Sequence, residues 1–446
     1  MSVLASVASL LLATQVAQAT PATGKAAIAQ QRAAVAESER LMAEAQKKPG
    51  LLAQYLYMRD ARARNPDVQF RLIFNQYLSW FQTFVGDYAG ARTMFAVSQP
   101  LMKGDSGAPM DGGYTAEPAL EAITAAAKGR KAVFFNENHS IAQTRTLTVQ
   151  MLEKLRADGY NTFAAETLYH DDKDLAKRGY PNSDTGFYTE EPIYAEMVRT
   201  ALKLGYKVVA YEAESMAMGD AREREQARNL YTRTFAQDPN TRLVVNAGFM
   251  HIQKSGKFFD GQAMAQHFAT LSGVEPLTVD QTVLIPHEKP IDDHPVYRRI
   301  AQDVRFDAPV VFRNASNALW SLRPTVFDIS VAFPTEVYRR GRPTWAGLDG
   351  LRGPYTVTAE ICKDAFPCLI EARYADEGED AIPADRLVFD PYSTGIAVRD
   401  RVRTSSDVVP TSELYLRPGR YRISARDAGN HLLGSTSIQA GAETNR

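Results

Sequence analysis

Cysteine is nearly absent from this chain. Only Cys362 and Cys368 occur among its 446 residues, which excludes a disulfide-built scaffold or a multi-cysteine metal centre. The two sit six positions apart in EICKDAFPCLIE. In an exported chain that spacing reads as a local disulfide closing a hairpin, and in a reducing compartment as two separate buried thiols. An excess of one charge sign is lacking as well: 51 basic and 52 acidic residues are interspersed, for a net charge of −1. No field gathers a polyanion, so nucleic acid is not an expected partner. Beyond the first residues no apolar run approaches the ~18 residues that cross a bilayer. Also missing are a G-x-S-x-G nucleophile elbow and a C-x-x-C-H haem-attachment motif.

What remains is an ordinary globular composition, 45% hydrophobic and 23% charged. At this length two or three domains are expected. Residues 1–19, MSVLASVASLLLATQVAQA, read as a signal peptide: an apolar stretch from Val3 to Ala13 runs into Ala17-Gln18-Ala19. Its first residues carry no Lys or Arg, unlike a standard signal. The mature protein is then expected in the periplasm or secreted, with no membrane span after cleavage.

Residues 24–102 are expected to form a helical cap. AAIAQQRAAVAESERLMAEA favours helix, and FNQYLSWFQTFVGDYAGARTMFAVSQ reads as two helices broken at Gly86-Asp87. That hairpin looks like one tetratricopeptide-type repeat, and its aromatics Tyr77, Trp80, Phe81 and Phe84 read as core. After the linker Lys103–Tyr114 the pattern changes. Over residues 115–345, short β-rich runs (KAVFFN, NTFAAE, KVVAYE, RLVVNA) alternate with helices closed by Gly159 and Gly205. This predicts an α/β domain with a largely parallel sheet flanked by helices. Residues 353–441 give short alternating runs with turn signals, among them a hairpin signal at Pro418-Gly419. They predict an antiparallel β-sandwich accessory domain.

In a parallel sheet, ligands bind beyond the carboxyl ends of the strands. The four runs end in Glu137-Asn138-His139, Glu166, Glu212 and Gly248-Phe249-Met250-His251. Each presents a carboxylate, a histidine or both. Taken singly, these residues also fit caps or packing groups. Taken together they predict one shared site, because carboxylates and imidazoles in a partly buried pocket need a compensating partner. A divalent metal held by Glu137, His139, Glu166 and His251 is one such partner. A proton shared between Glu and His is the other, and it makes a general base. His170 and Tyr169 stand close after Glu166 as candidates for the pocket rim. The remaining histidines, His267, His287, His294 and His431, read as structural or solvated.

The stretch FFNENHSIAQTRTLTVQMLEKLRADGYNTFAAET resembles the opening of the superfamily of erythromycin esterases, ChaN-like haem-binding proteins and TIKI/TraB proteases. Glu137 and His139 match its G-E-x-H-like motif with Asn136 in place of the glycine, Glu166 matches the second-strand glutamate, and VVNAGFMHIQK matches its later strand-G-x-x-H element through Gly248 and His251. AREREQARNL resembles the Arg-rich helix of the esterase-like members, which implies Arg222 and Glu223 brought towards the site, with Arg222 holding a substrate carboxylate or orienting Glu212. As a bare pattern, that helix reads rather as solvent-exposed Arg/Glu pairs. The resemblance covers about residues 115–300. It implies an exported hydrolase of an ester or amide in a small molecule or peptide. Its ChaN-like branch implies haem or iron binding instead, with Tyr169, His170 and Tyr188 as candidate ligands. A non-catalytic partner-binding scaffold is the third expectation.

Overall fold

The structure, a computed structural model, describes residues 25–390 and 410–441, and the signal-like segment 1–19 lies outside them. The described chain divides into two compact units. One comprises Ala96–Tyr188 and Met197–Thr335, and the other gathers residues 25–95, 189–196, 336–390 and 410–441.

The first unit is built on six parallel strands: β2 (Ala132–Glu137), β3 (Thr162–Ala165), β4 (Lys207–Ala210), β5 (Leu243–Gly248), β6 (Leu277–Asp280) and β8 (Ile329–Ser330). Their order across the sheet is β4-β3-β5-β2-β6-β8. A separate antiparallel pair joins β1 (Thr115–Pro118) to β7 (Val310–Arg313). Strands covered on both faces read as continuous apolar runs, and β2 (AVFFNE) is buried at every position. Phe134, Ala164, Val209 and Val245 share one face with Ala227 and Leu230 of the helix Asp220–Arg233 and with Met264 and Phe268 of the helix Met264–Ser272. The helix Gln143–Ala157 ends as expected, with Gly159 at φ +89° and Tyr160 N–H donating to Leu155 O at 3.0 Å.

The topology places the site. β3 and β5 are neighbours, yet β3 leads outward to β4 on one side while β5 leads across β2 to β6 on the other. Diverging connections open a crevice beyond the carboxyl ends of such strands.

In the second unit the helices Lys25–Ala45, Leu51–Arg64, Val68–Phe84 and Tyr88–Met94 precede the short hairpin β9 (Tyr338–Arg339) and β10 (Arg342–Pro343). Tyr77, Trp80, Phe81 and Phe84 are core residues, as the pattern predicts. Two antiparallel sheets follow: β11 (Gly353–Thr358) with β14 (Thr411–Leu416), and β13 (Asp385–Phe389), β12 (Cys368–Tyr374), β15 (Gly419–Arg426) and β16 (Leu432–Ala440) in the order β13-β12-β15-β16. Val357, Leu414 and Leu416 of the smaller sheet share a core with Ile370, Tyr421 and Ile423 of the larger.

Two local expectations change. Pro418-Gly419 is not a hairpin, because β14 pairs with β11 while β15 pairs with β12 and β16. Gly419 is extended at φ 159°, so the chain passes from sheet to sheet there. Cys362 and Cys368 do form a disulfide, with Cα atoms 5.9 Å apart. It closes the connection from β11 to β12, which lie in different sheets, rather than a hairpin.

Candidate active site

The carboxyl ends of β2, β3 and β5 each aim a polar side chain into one buried cluster. After Glu137 the chain turns tightly: Asn138 Oδ1 accepts the Ser140 N–H at 3.0 Å, and the Asn138 N–H donates to Thr144 Oγ1 at 2.9 Å. This pins His139 against the start of the helix Gln143–Ala157. Two backbone outliers flank the other strand ends, Thr167 at φ +62° after Glu166 and Phe249 at φ +46° after Gly248. A non-glycine residue in that region costs of order 1–3 kcal/mol and persists where the surroundings enforce it.

His139 is 1% exposed and Glu137 is fully buried. His139 Nδ1 lies 2.5 Å from Glu137 Oε1. Arg145 donates from Nε to Glu137 Oε2 at 2.9 Å and from Nη2 to the His139 carbonyl at 3.0 Å, so one guanidinium holds both halves of the pair. The ring is fixed between Tyr188, stacked at 4.1 Å, and Phe249, edge-on at 5.1 Å.

A second pair faces the first across Glu166. His251 Nδ1 is 2.8 Å from Glu223 Oε2, and the Met264 N–H donates to the same oxygen at 2.9 Å. The two Nε2 atoms converge on one carboxylate: His251 Nε2 is 3.5 Å from Glu166 Oε1 and His139 Nε2 is 3.9 Å from Glu166 Oε2. Glu166 Oε2 also accepts the Gly248 N–H. Arg222 Nη2 lies 2.8 Å from Glu212 Oε1 and 3.5 Å from Glu166 Oε1, and its Nη1 is 3.8 Å from Glu223 Oε1. Glu212 Oε1 further accepts Gln226 Nε2 at 2.8 Å and the Ala213 N–H at 3.0 Å.

Glu137, Glu166, Glu212 and Glu223 thus face two guanidiniums, Arg145 and Arg222, in a buried volume. Two negative charges would stay uncompensated if both imidazoles were neutral, an expensive state in low dielectric. Burial would raise the Glu137 carboxyl, but Arg145 and His139 outweigh it and hold it below the usual range. Burial acts likewise on Glu166, and His251, His139 and Arg222 pull it down. Burial would lower His251, yet Glu223 and Glu166 overcome it and raise it, favouring the imidazolium. Burial, then Glu166 and Glu137, push the Tyr188 phenol far up, so it stays neutral.

With Nδ1–H donated to Glu137, a neutral His139 carries its lone pair on Nε2. That atom is buried and has no hydrogen-bond partner. The ring can sit there because residue 248 is glycine: a Cβ would stand 2.3 Å from His139 Nε2 and 2.9 Å from Glu166 Oε2. An oriented base with a bare ring nitrogen can take a proton from a water or substrate that reaches it.

The metal expectation meets occupied donors. Both Glu137 oxygens are engaged by His139 and Arg145, and the Arg222 guanidinium sits among Glu166, Glu212 and Glu223. Among the described residues no three His, Cys, Asp or Glu side chains converge as metal ligands. Of the expected set Glu137 therefore has no free oxygen for a metal, while the His139 and His251 Nε2 atoms stay turned towards Glu166.

All five expected residues, Glu137, His139, Glu166, Glu212 and His251, come together. Arg222 does too, 1% exposed, which overturns the solvent-exposed reading of its helix. The helix turns Arg222, Glu223 and Gln226 inward and leaves Arg224 and Arg228 outside. Asn136, in the glycine position of the motif, lies within β2 and needs no positive φ. Its side chain accepts the Gln281 N–H at 2.6 Å and donates to Asp280 Oδ1 at 2.9 Å and to Phe249 O at 2.8 Å, stitching three strand ends together. Tyr188, a candidate haem ligand, is fully buried against His139 instead. Arg145 and the ring packing of Tyr188 escaped sequence reading. His267, His287, His294 and His431 each pair with an aspartate, as structural histidines do.

Tyr169 and His170 lie apart from the cluster, on a cleft of 790 Å³ that Glu212 also lines. His170 Nε2 is 2.8 Å from the Glu212 carbonyl, and its ring meets Arg233.

No family model matches this chain, and no curated protein does. Among solved structures, two described as bacterial protein toxins align with 50% and 51% of this chain and with 52% and 46% of theirs, at 13% and 16% identity and a TM-score of 0.27 each. RRSP, a MARTX toxin effector domain from Vibrio vulnificus CMCP6, aligns over 51% of both chains at 16% identity and a TM-score of 0.25. The chain spans about half the length of the solved chains it matches, and likenesses this distant bear on neither fold nor chemistry. No helix among the described residues is long and apolar enough to cross a membrane.

Proposed function

We propose that the α/β unit is a hydrolase of an ester or amide bond that activates water at His139. The observation that carries this reading is the His139 Nε2 atom: buried, unpartnered, oriented through Nδ1 by an Arg145-anchored Glu137, and packed so closely on residue 248 that only glycine fits there. His139 takes a proton from water as the oxygen adds to the substrate carbonyl. It returns that proton to the departing alkoxide or amine. Across Glu166, the His251 imidazolium backed by Glu223 stabilises the negative charge that develops on the carbonyl oxygen. The resemblance of residues 134–167 to the esterase and protease superfamily points the same way.

The test is turnover of an ester and amide panel by wild type and by His139→Ala and His251→Ala, with metal content measured alongside. Turnover lost in both variants without bound metal supports the reading. Stoichiometric metal in wild type alone would replace it with a metal-dependent one, and turnover intact in both variants would leave a non-catalytic scaffold. Haem binding is the rival on the cleft, where Tyr169 and His170 stand, although the cleft is lined mainly by charged groups rather than an apolar platform. A Soret band on haem addition, lost on His170→Ala, would favour it.

A further inference from the structure

The cleft beside the cluster has a charge pattern that the proposed chemistry does not use. It is lined by Asp171, Asp172, Asp174, Asp184, Glu212 and Glu214, against Lys173 and Arg178 as its cations. Both cations are already committed: Arg178 makes a double hydrogen bond to Asp172, and Lys173 donates to the His170 carbonyl. Glu214 is answered by Arg233. Asp171, Asp174 and Asp184 are exposed. No ion pair reaches their carboxylates among the described residues.

A second observation comes from the inner wall. Glu212 is 2% exposed, and Arg222, Gln226 and the Ala213 N–H all converge on its Oε1. Its Oε2 is buried with no hydrogen-bond partner. A buried carboxylate oxygen left bare is costly unless a donor reaches it. Neighbouring Gln226 Oε1 and Glu223 Oε1 are likewise buried acceptors without a hydrogen bond, against one bare donor beside them, Arg222 Nη1, 3.8 Å from Glu223 Oε1. Acceptors therefore exceed donors from the cleft wall inward. What completes such a surface is a cationic donor group, an ammonium or a guanidinium.

Resting on the hydrolase reading, we infer that this cleft is the substrate subsite and that it selects a cationic group on the substrate. The cleft wall carries Leu168, two residues beyond Glu166, so a chain or scaffold seated there lies at the strand end that supplies the chemistry. Glu212 belongs to both places, at the cleft wall and in the Arg222 contact that reaches Glu166.

The test is equilibrium binding of dansyl-L-arginine amide and its neutral isostere dansyl-L-citrulline amide to the full chain, read by fluorescence anisotropy. Hydrolysis of each amide is followed by chromatography. The arginine probe is expected to bind about tenfold tighter at low salt, the gap closing as salt is raised. The variant Asp171→Asn/Asp174→Asn/Asp184→Asn alters exposed side chains only, so it folds, and it should erase most of the gap. Equal binding of the two probes, or a gap that survives both salt and the triple variant, overturns the inference whatever the turnover. A clear binding gap with no hydrolysis of either amide, or of the ester panel, would instead overturn the hydrolase reading and leave the cationic subsite standing.

Discussion

Each of the two units buries a set of charges, and the difference between the sets separates chemistry from construction. In the second unit Arg386 reaches Glu371 at 3.0 Å and Glu190 at 2.9 Å, and Arg342 reaches Asp385 at 2.6 Å. All the cations there are guanidiniums, which stay protonated at any physiological pH. The one histidine among the described residues of that unit, His431, has a side chain 79% exposed. The α/β cluster is as deeply buried, yet two of its bases are imidazoles, one with a bare Nε2 beside a glycine. Charge burial alone therefore marks structure. A titratable base held in one tautomer with nothing bonded to its working atom marks a site.

The contrast breaks most sharply at His139 and Gly248. His139→Gln should lower kcat/KM on any identified substrate by about 10³-fold, within the span usual for a general base, while thermal unfolding shifts little. Gly248→Ala should lower it at least 100-fold by pushing the His139 ring out of place, and it should also cost about 1–3 kcal/mol of stability through overpacking. If Gly248→Ala kept full activity, the close packing of His139 on Gly248 would have no role. Next in size, Arg386→Met in the second unit should cost about 3–5 kcal/mol in chemical unfolding, because it leaves buried carboxylates unpaired. Activity per folded molecule should hold, and a proportional loss there would mean that the two charge sets are not separate.

How much of this the sequence exposes depends on periodicity. The four strand runs stand out because a sheet covered on both faces needs unbroken apolar segments, and their ends bring Glu137, His139, Glu166, Glu212 and His251 within one site. β8, at two residues, is too short to leave a run to read. Arg145 comes from a helix first turn, where an arginine normally signals solvent. AREREQARNL shows the same limit more plainly: its alternating Arg and Glu give no apolar stripe, so which pair turns inward is settled by the Glu212 and Glu166 carboxylates it meets. Tyr188 ends a long irregular segment that has no repeat at all. The failed hairpin at Pro418-Gly419 is of another kind, since a turn signal states that the chain bends and not which strand it will join.

The titration of the two histidine pairs sharpens the comparison further. The folded state raises His251 from an ordinary 6.5, so its imidazolium stabilises the fold fully below that pH and the contribution is lost as pH rises through the raised value. Glu137 is lowered from 4.5, so its contribution is present above that pH and lost as pH falls through the lowered value. Stability from the cluster should therefore be greatest between about pH 4.5 and 6.5. Activity should fall about tenfold per unit on the alkaline side once His251 loses its proton. In Glu223→Gln that limb should move to lower pH, because the largest group raising His251 is gone. An alkaline limb unmoved by Glu223→Gln would assign it to another group.

The smallest effect expected is that of the disulfide, and it bears on the second unit alone. Cys362 and Cys368 are six residues apart, so the loop they close is short and the unfolded chain loses little freedom by being tied there. The chain-entropy relation gives about 2 kcal/mol for such a loop. Cys362→Ser/Cys368→Ser should lower the unfolding free energy of the intact chain by that amount, matching the effect of reductant on wild type, with no change in turnover. Both cysteines are fully buried among Val357, Ile370 and Leu414, so part of any larger loss would come from placing two hydroxyls in an apolar core. Cys362→Ala/Cys368→Ala removes that part, and the difference between the two double variants separates the cross-link from the core it crosses.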